Sequence, residues 1–119
     1  MLKNECLLME SDGDSLLVAS LVIGYDILDR LTVRLCITDY DCETVSSRYA
    51  YEKVTSASLD DDCIRLLASR FRIPVAEVPD LLVRKFRYGR YVSRTGAVRR
   101  QFKNILEFIL DCGGKYRLG

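Results

Sequence analysis

The chain contains no histidine and no tryptophan, only two prolines, and three side-chain amides (Asn4, Gln101 and Asn104) in 119 residues. Without histidine it lacks the commonest general base and the commonest metal ligand. A cysteine nucleophile would have no imidazole to activate it. The five cysteines (Cys6, Cys36, Cys42, Cys63 and Cys112) form no C-x-x-C pair, which argues against a zinc site. Their odd number and apolar neighbours suggest buried thiols rather than a secreted disulfide framework. No G-x-x-x-x-G-K-[ST] loop is present to cradle a phosphate chain. These absences lead to the expectation of a protein that is not an enzyme and needs neither metal nor cofactor.

Two further scarcities bear on setting. Few amides, together with 13 arginines against 5 lysines, suggest a heat-adapted, archaeal source, in which an intracellular disulfide would be compatible. The longest apolar run, 16–23, is interrupted by Ser20 and is far too short to span a bilayer. Residues 1–10 carry Glu5 and Glu10 and show no basic segment leading into an apolar one. A cytoplasmic protein with no membrane partner is the expectation.

What is present suits one domain with a real core: 49% hydrophobic and 29% charged residues. The formal net charge of +1 conceals a division. Residues 1–63 carry 5 basic and 13 acidic side chains, and residues 64–119 carry 13 basic and 4 acidic. The single domain is therefore read as an acidic β half (1–57), a basic helical half (58–114) and a tail (115–119), which is expected to be mobile or to bind a ligand.

Residues 2–9 and 15–23 flank an Asp12-Gly13 turn signal, and a second connection runs through Asp26 to Arg30. From Leu31 to Thr38, Leu31, Val33, Leu35 and Ile37 alternate with polar or small residues, the pattern of a half-buried strand. A fourth strand is expected from Thr44 to about Val54. The periodicity then changes. Ser58 or Asp60 can cap a helix in which Ile64, Leu67, Ala68 and Phe71 form the apolar stripe, and Pro74 ends it. A shorter helix is expected from about Pro79 to Arg87, broken by Gly89. A last helix, capped by Ser93 or Thr95, buries Val98, Phe102, Ile105, Ile109 and Cys112, broadened by Leu106, and stops at Gly113-Gly114. The predicted fold is α+β: a four-stranded antiparallel meander followed by three helices packed on one face.

The stretch 84–103, RKFRYGRYVSRTGAVRRQFK, contains eight basic residues and no acidic one. Four aromatics are interleaved among them. Guanidinium groups match phosphate oxygens bidentately, and aromatic rings offer faces on which bases stack. Arg84, Arg87, Arg90, Arg94, Arg99, Arg100 and Lys103 are the expected phosphate contacts, with Tyr88 and Tyr91 as the stacking residues. Phe86 and Phe102 suit the core better. Cations early in the last helix, with Glu107 and Asp111 late in it, oppose the helix macrodipole, and an external anion would relieve that. The expected function is non-enzymatic binding of single-stranded DNA or RNA. A plain solvated basic connection is the alternative account of the same residues.

The charge division also fits an assembly module, or a noncatalytic subunit, in which complementary faces meet in another copy or in an acidic protein partner. A lesser alternative is duplex reading. Ala68, Ile73 and Val78 loosely match helix-turn-helix spacing, but Arg72 stands where the turn glycine is usual and Pro79 falls in the would-be recognition helix. Tyr49 and Tyr51 on the fourth strand fit core packing or base stacking. Asp39, Asp41 and Glu43 alternate like oxygen ligands but lack the rest of an EF-hand loop, so a solvated turn is expected.

Overall fold

A computed structural model describes residues 2–11, 17–39, 51–87 and 95–119. Strands β1 (Lys3–Glu10), β2 (Leu17–Tyr25), β3 (Leu31–Asp39) and β4 (Tyr51–Leu59) form an antiparallel meander, and a two-residue strand β5 (Arg117–Leu118) adds to its far edge. Helices α1 (Asp61–Phe71), α2 (Val78–Phe86) and α3 (Thr95–Asp111) follow β4, with one short 3₁₀ turn at Val75–Glu77. The α+β architecture is as the periodicity predicted.

One face of the sheet makes the core. Ala19, Leu21 and Ile23 of β2 and Leu31, Val33, Leu35 and Ile37 of β3 alternate inward, and the antiparallel register sets Leu21 beside Leu35 and Ile23 beside Val33. Leu67 of α1, Leu82 of α2, and Val98, Ile105 and Ile109 of α3 close over them, each fully buried. The opposite face carries small and polar groups such as Ser20, Cys36, Arg34 and Ser56, as antiparallel sheets with one solvated side do.

The β2–β3 turn is held by one carboxylate. Asp26 Oδ1 accepts from the N–H groups of Leu28 and Arg30, each at 2.9 Å, and Oδ2 accepts from Arg30 Nε at 2.9 Å. The N–H and side-chain donors of Arg30 hold the Asp26 carboxyl below its ordinary value. Asp29, in the left-handed region, pairs with Lys3.

Five expectations need correction. The fourth strand runs to Leu59 rather than to Val54, and the start expected at Thr44 lies outside the described residues. Ser58 looks like a helix cap, but Leu31 of β3 pairs with Leu59, and Ala57 and Leu59 alternate into the core. Asp60 is the cap instead, accepting from Cys63 N–H at 2.8 Å. The α1 stripe holds at its centre and differs at its ends: Leu67 and Ala68 are buried as expected, Cys63 is buried with Ile64 only half-buried, and Phe71 is 37% exposed. Helix α1 ends at Phe71, before Pro74 acts. Arg72 takes the left-handed conformation (φ 55°), and the N–H groups of Arg72 and Ile73 bond the carbonyls of Ser69 and Ala68, a Schellman turn without glycine. Finally, the tail is not a loose end. Arg117 and Leu118 pair with Ser58 and Ala57, and Gly119 exchanges two hydrogen bonds with Ser56, at 2.9 and 3.1 Å.

Helix α3 follows its predicted stripe throughout: Val98, Phe102, Ile105, Leu106, Ile109 and Cys112 are all buried. Its end is a Schellman turn at glycine: Gly113 sits at φ 86°, and the N–H groups of Gly113 and Gly114 bond the carbonyls of Leu110 and Ile109. Gly114 leaves no room for a side chain, since a Cβ there would lie 2.7 Å from Cys63 Sγ. Phe108 joins the three helices, its ring centroid 5.7 Å from that of Phe71 and 5.4 Å from that of Phe86.

Candidate nucleic-acid interface

Helix α2 begins with Pro79 in its first turn, where the missing N–H is harmless. It buries Val78, Leu82 and Phe86 at i, i+4 and i+8, which turns Arg84 and Lys85 outward at its last turn. Arg84 Nε reaches back to the Asp80 carbonyl at 3.4 Å. Lys85 Nζ lies 4.9 Å from the Phe108 ring centroid, a cation–π contact with α3. Arg87 ends the helix, exposed.

A side-chain hydrogen bond adds a further link to α3. Gln101 Nε2 donates to the Phe86 carbonyl at 2.8 Å, satisfying a C-terminal carbonyl of α2, and Asn104 Nδ2 donates to Gln101 Oε1 at 3.2 Å. Arg99, Arg100 and Lys103 are exposed on α3. Successive helical residues turn by about 100°, so Arg99 and Lys103, two positions either side of Gln101, point roughly 160° away from it. The cations therefore do not converge on one point. They form a band: Arg84, Lys85 and Arg87 on α2, Arg100 at the crest of α3, and Arg99 with Lys103 on its outer flank.

The predicted stacking residues Tyr88 and Tyr91, and the predicted contacts Arg90 and Arg94, lie outside the described residues. So do Tyr49, Asp41, Glu43 and the candidate cap Ser93. Phe86 and Phe102 are core residues, 8% and 7% exposed. Because α3 includes Thr95, Arg99 and Arg100 fall in its second turn and Lys103 in its third. The macrodipole acts mainly within the first turn, so the argument from helix polarity weakens.

A different electrostatic fact takes its place. Among the described residues the ion pairs are Lys3–Asp29, Arg30–Asp26 and Arg65–Asp62. The last two are local and the first joins β1 to the β2–β3 turn; none involves Arg84, Lys85, Arg87, Arg99, Arg100 or Lys103. The acidic strands do not neutralise the basic helix ends through these pairs.

The helix-turn-helix match is equally specific in its outcome. Ala68 and Val78 are buried and Ile73 packs against the core. Residues 72–77 separate α1 from α2, longer than the roughly three- to four-residue turn of that motif.

Two surfaces escaped sequence reasoning. A cleft lined by Tyr25, Asp29, Asp61, Ile64, Val75 and Pro79 adjoins the β2–β3 turn, where Ile27 is 90% and Leu28 65% exposed. A second cavity gathers Arg30, Lys115 and Arg117 at the end of β4. The alternation Lys115-Tyr116-Arg117 was the available signal for it.

No group of metal-ligating side chains is found among the described residues, and no helix there is long and apolar enough to cross a membrane. Of the described cysteines, Cys63 and Cys112 are buried and Cys6 and Cys36 half-buried, all as free thiols. Burial pushes the Cys63 and Cys36 thiols up, and for Cys36 the Glu52 carboxylate adds to that. Comparison with protein-family models, with curated proteins and with solved structures returned no match.

Proposed function

We propose that the protein is a non-enzymatic nucleic-acid-binding protein whose interface is the basic band on α2 and α3. The observation that carries this reading is the set of six exposed cations with no carboxylate partner among the described residues. A folded protein gains nothing from like charges placed at i, i+4, as Arg99 and Lys103 are; such pairs cost about 0.2–0.5 kcal/mol. A polyanion spaced along two helices relieves that repulsion at every position of the band. Single-stranded DNA or RNA is favoured over duplex, because a band across two helix ends follows a flexible backbone without needing a groove.

Fluorescence anisotropy with labelled single-stranded RNA, single-stranded DNA and duplex, titrated at several salt concentrations, tests this. The expected result is an affinity that falls linearly with log salt, with a slope for roughly 3–6 phosphates, and a ranking of single strands above duplex. Absence of binding at low salt would refute it.

A second reading rests on its own observation. Exposed Ile27, Leu28 and Val75 beside a cleft carrying Asp29 and Asp61 suit a protein partner, as contiguous apolar surface rimmed by charge does. In that reading the protein is an assembly module or a noncatalytic subunit, and light scattering across salt concentrations without nucleic acid separates the two.

A further inference from the structure

We infer that the cavity at the end of β4 is a binding site for a small phosphomonoester, separate from the basic band. It has a volume of about 350 Å³ and is lined by Arg30, Ser58, Leu59, Asp60, Lys115, Tyr116 and Arg117. That volume lies within the range of small-molecule pockets. Three cations and one carboxylate line it, and with Arg30 already paired to Asp26 one positive charge is left over, which suits a phosphate anion.

The lining is held in place by bonds that leave its cationic ends free. Arg30 gives its Nε to Asp26 at 2.9 Å, which fixes the guanidinium while its terminal nitrogens remain for a ligand. Asp60 is turned toward α1, its Oδ1 accepting from Cys63 N–H at 2.8 Å. Its charge is thereby directed to the helix start. Lys115 and Arg117 have no carboxylate partner among the described residues. Arg117 is positioned by strand pairing with Ser58, and the Ser58 hydroxyl stands 3.5 Å from Thr32 Oγ1. A phosphate here would meet two guanidinium groups capable of bidentate bonds and an ammonium group. The half-buried Tyr116 ring offers an apolar wall for the rest of the ligand.

The site uses the 115–117 segment as a wall. Lys115 and Arg117, neither in an ion pair among the described residues, flank the cavity with Arg30, and a bound phosphate offsets their charge.

The probes are adenosine 5′-monophosphate and inorganic phosphate, with adenosine as control, added to the full chain and followed by two-dimensional amide NMR. The expected result is saturable shifts at Arg30, Ser58, Tyr116 and Arg117 with Kd below about 1 mM for both phosphates, and none with adenosine. Lys115→Gln with Arg117→Gln should weaken binding at least about tenfold while the thermal midpoint holds, since β5 pairs through its backbone. Lys115→Gln alone, outside β5, should give a smaller loss in the same direction. Arg99→Glu with Arg100→Glu should leave phosphomonoester binding unchanged while weakening the nucleic-acid interaction, so failure of either site is visible independently. Lack of saturation, equal binding by the double glutamine variant, or shifts confined to α2 and α3 would overturn the proposal.

Discussion

At its C-terminal end α3 stops in a Schellman turn whose second glycine packs against Cys63, while its earlier turns hold Arg99, Arg100 and Lys103 in solvent with no carboxylate partner among the described residues. The first of these regions is finished internally: its carbonyls are bonded, its thiols are buried, and the chain beyond it joins the sheet. In the second, charges stand near like charges, and none of the ion pairs among the described residues includes them. Where backbone and side chains are satisfied by the fold, sequence change should cost stability; where charge is left over, sequence change should cost binding.

The largest effect is expected at the charged region. Reversing Arg99, Arg100 and Lys103 together to glutamate should lower affinity for single-stranded nucleic acid at least about 100-fold at low salt. Stability should stay within about 1 kcal/mol, because exposed helix charges carry little. Anisotropy and urea denaturation read the two quantities, and an unchanged affinity would move the interface off α3. At the other end the pattern should invert. Gly114→Ala should lose about 1–3 kcal/mol of stability, as overpacking does, with affinity per folded molecule unchanged. A variant as stable as the parent in urea would mean that Cys63 and Ile109 yield freely.

The acidic side of the molecule extends the comparison. Asp26→Asn keeps the oxygen that accepts from the Leu28 and Arg30 N–H groups, but removes the charge and replaces the oxygen that accepts from Arg30 Nε with an amide donor. The folded-state carboxyl lies below its ordinary value of 3.8, so the charge stabilises fully above that value and the benefit disappears as pH falls through the lower folded value. The variant should therefore melt lower than the parent at neutral pH, and the two melting curves should converge in acid. A gap independent of pH would show that the charge plays no part. The smallest effect concerns the end of α1, which makes the same Schellman turn as α3 but with Arg72 in the left-handed position. Arg72→Gly should add about 0.5–1 kcal/mol, the relief of left-handed strain less the extra chain entropy of glycine. No gain in the denaturation midpoint would indicate that the arginine stem contributes packing of similar size.

How far the sequence revealed this molecule depended on what kind of signal each element carries. Helix α3 was legible from end to end because seventeen residues hold one unbroken stripe and two glycines close it. The last part of β4 was not, since Ser58 carries a helix-entry signal that local chemistry cannot distinguish from a strand position. Pairing with β3 decides it. A two-residue strand such as β5 has no periodicity to read; it exists because β4 offers an edge. For the candidate interface, the identity and exposure of the cations on α2 and α3 could be read directly. Their arrangement across two helices could not, because it follows from Gln101 reaching the Phe86 carbonyl, a contact fifteen residues away in sequence. The cavity beside Arg30 was hidden for a similar reason, its lining being assembled from three separate segments.

Phe108 gives the helical layer a property that none of its helices has alone. One ring touches Phe71 at the close of α1 and Phe86 at the close of α2, and lies under the Lys85 ammonium group. Fraying at either of those helix ends exposes a share of the same aromatic surface, so the two ends are bound into one unit of local unfolding. A ligand drawn to Lys85 would then be felt at the far end of α1, through a hinge pin made of a single side chain.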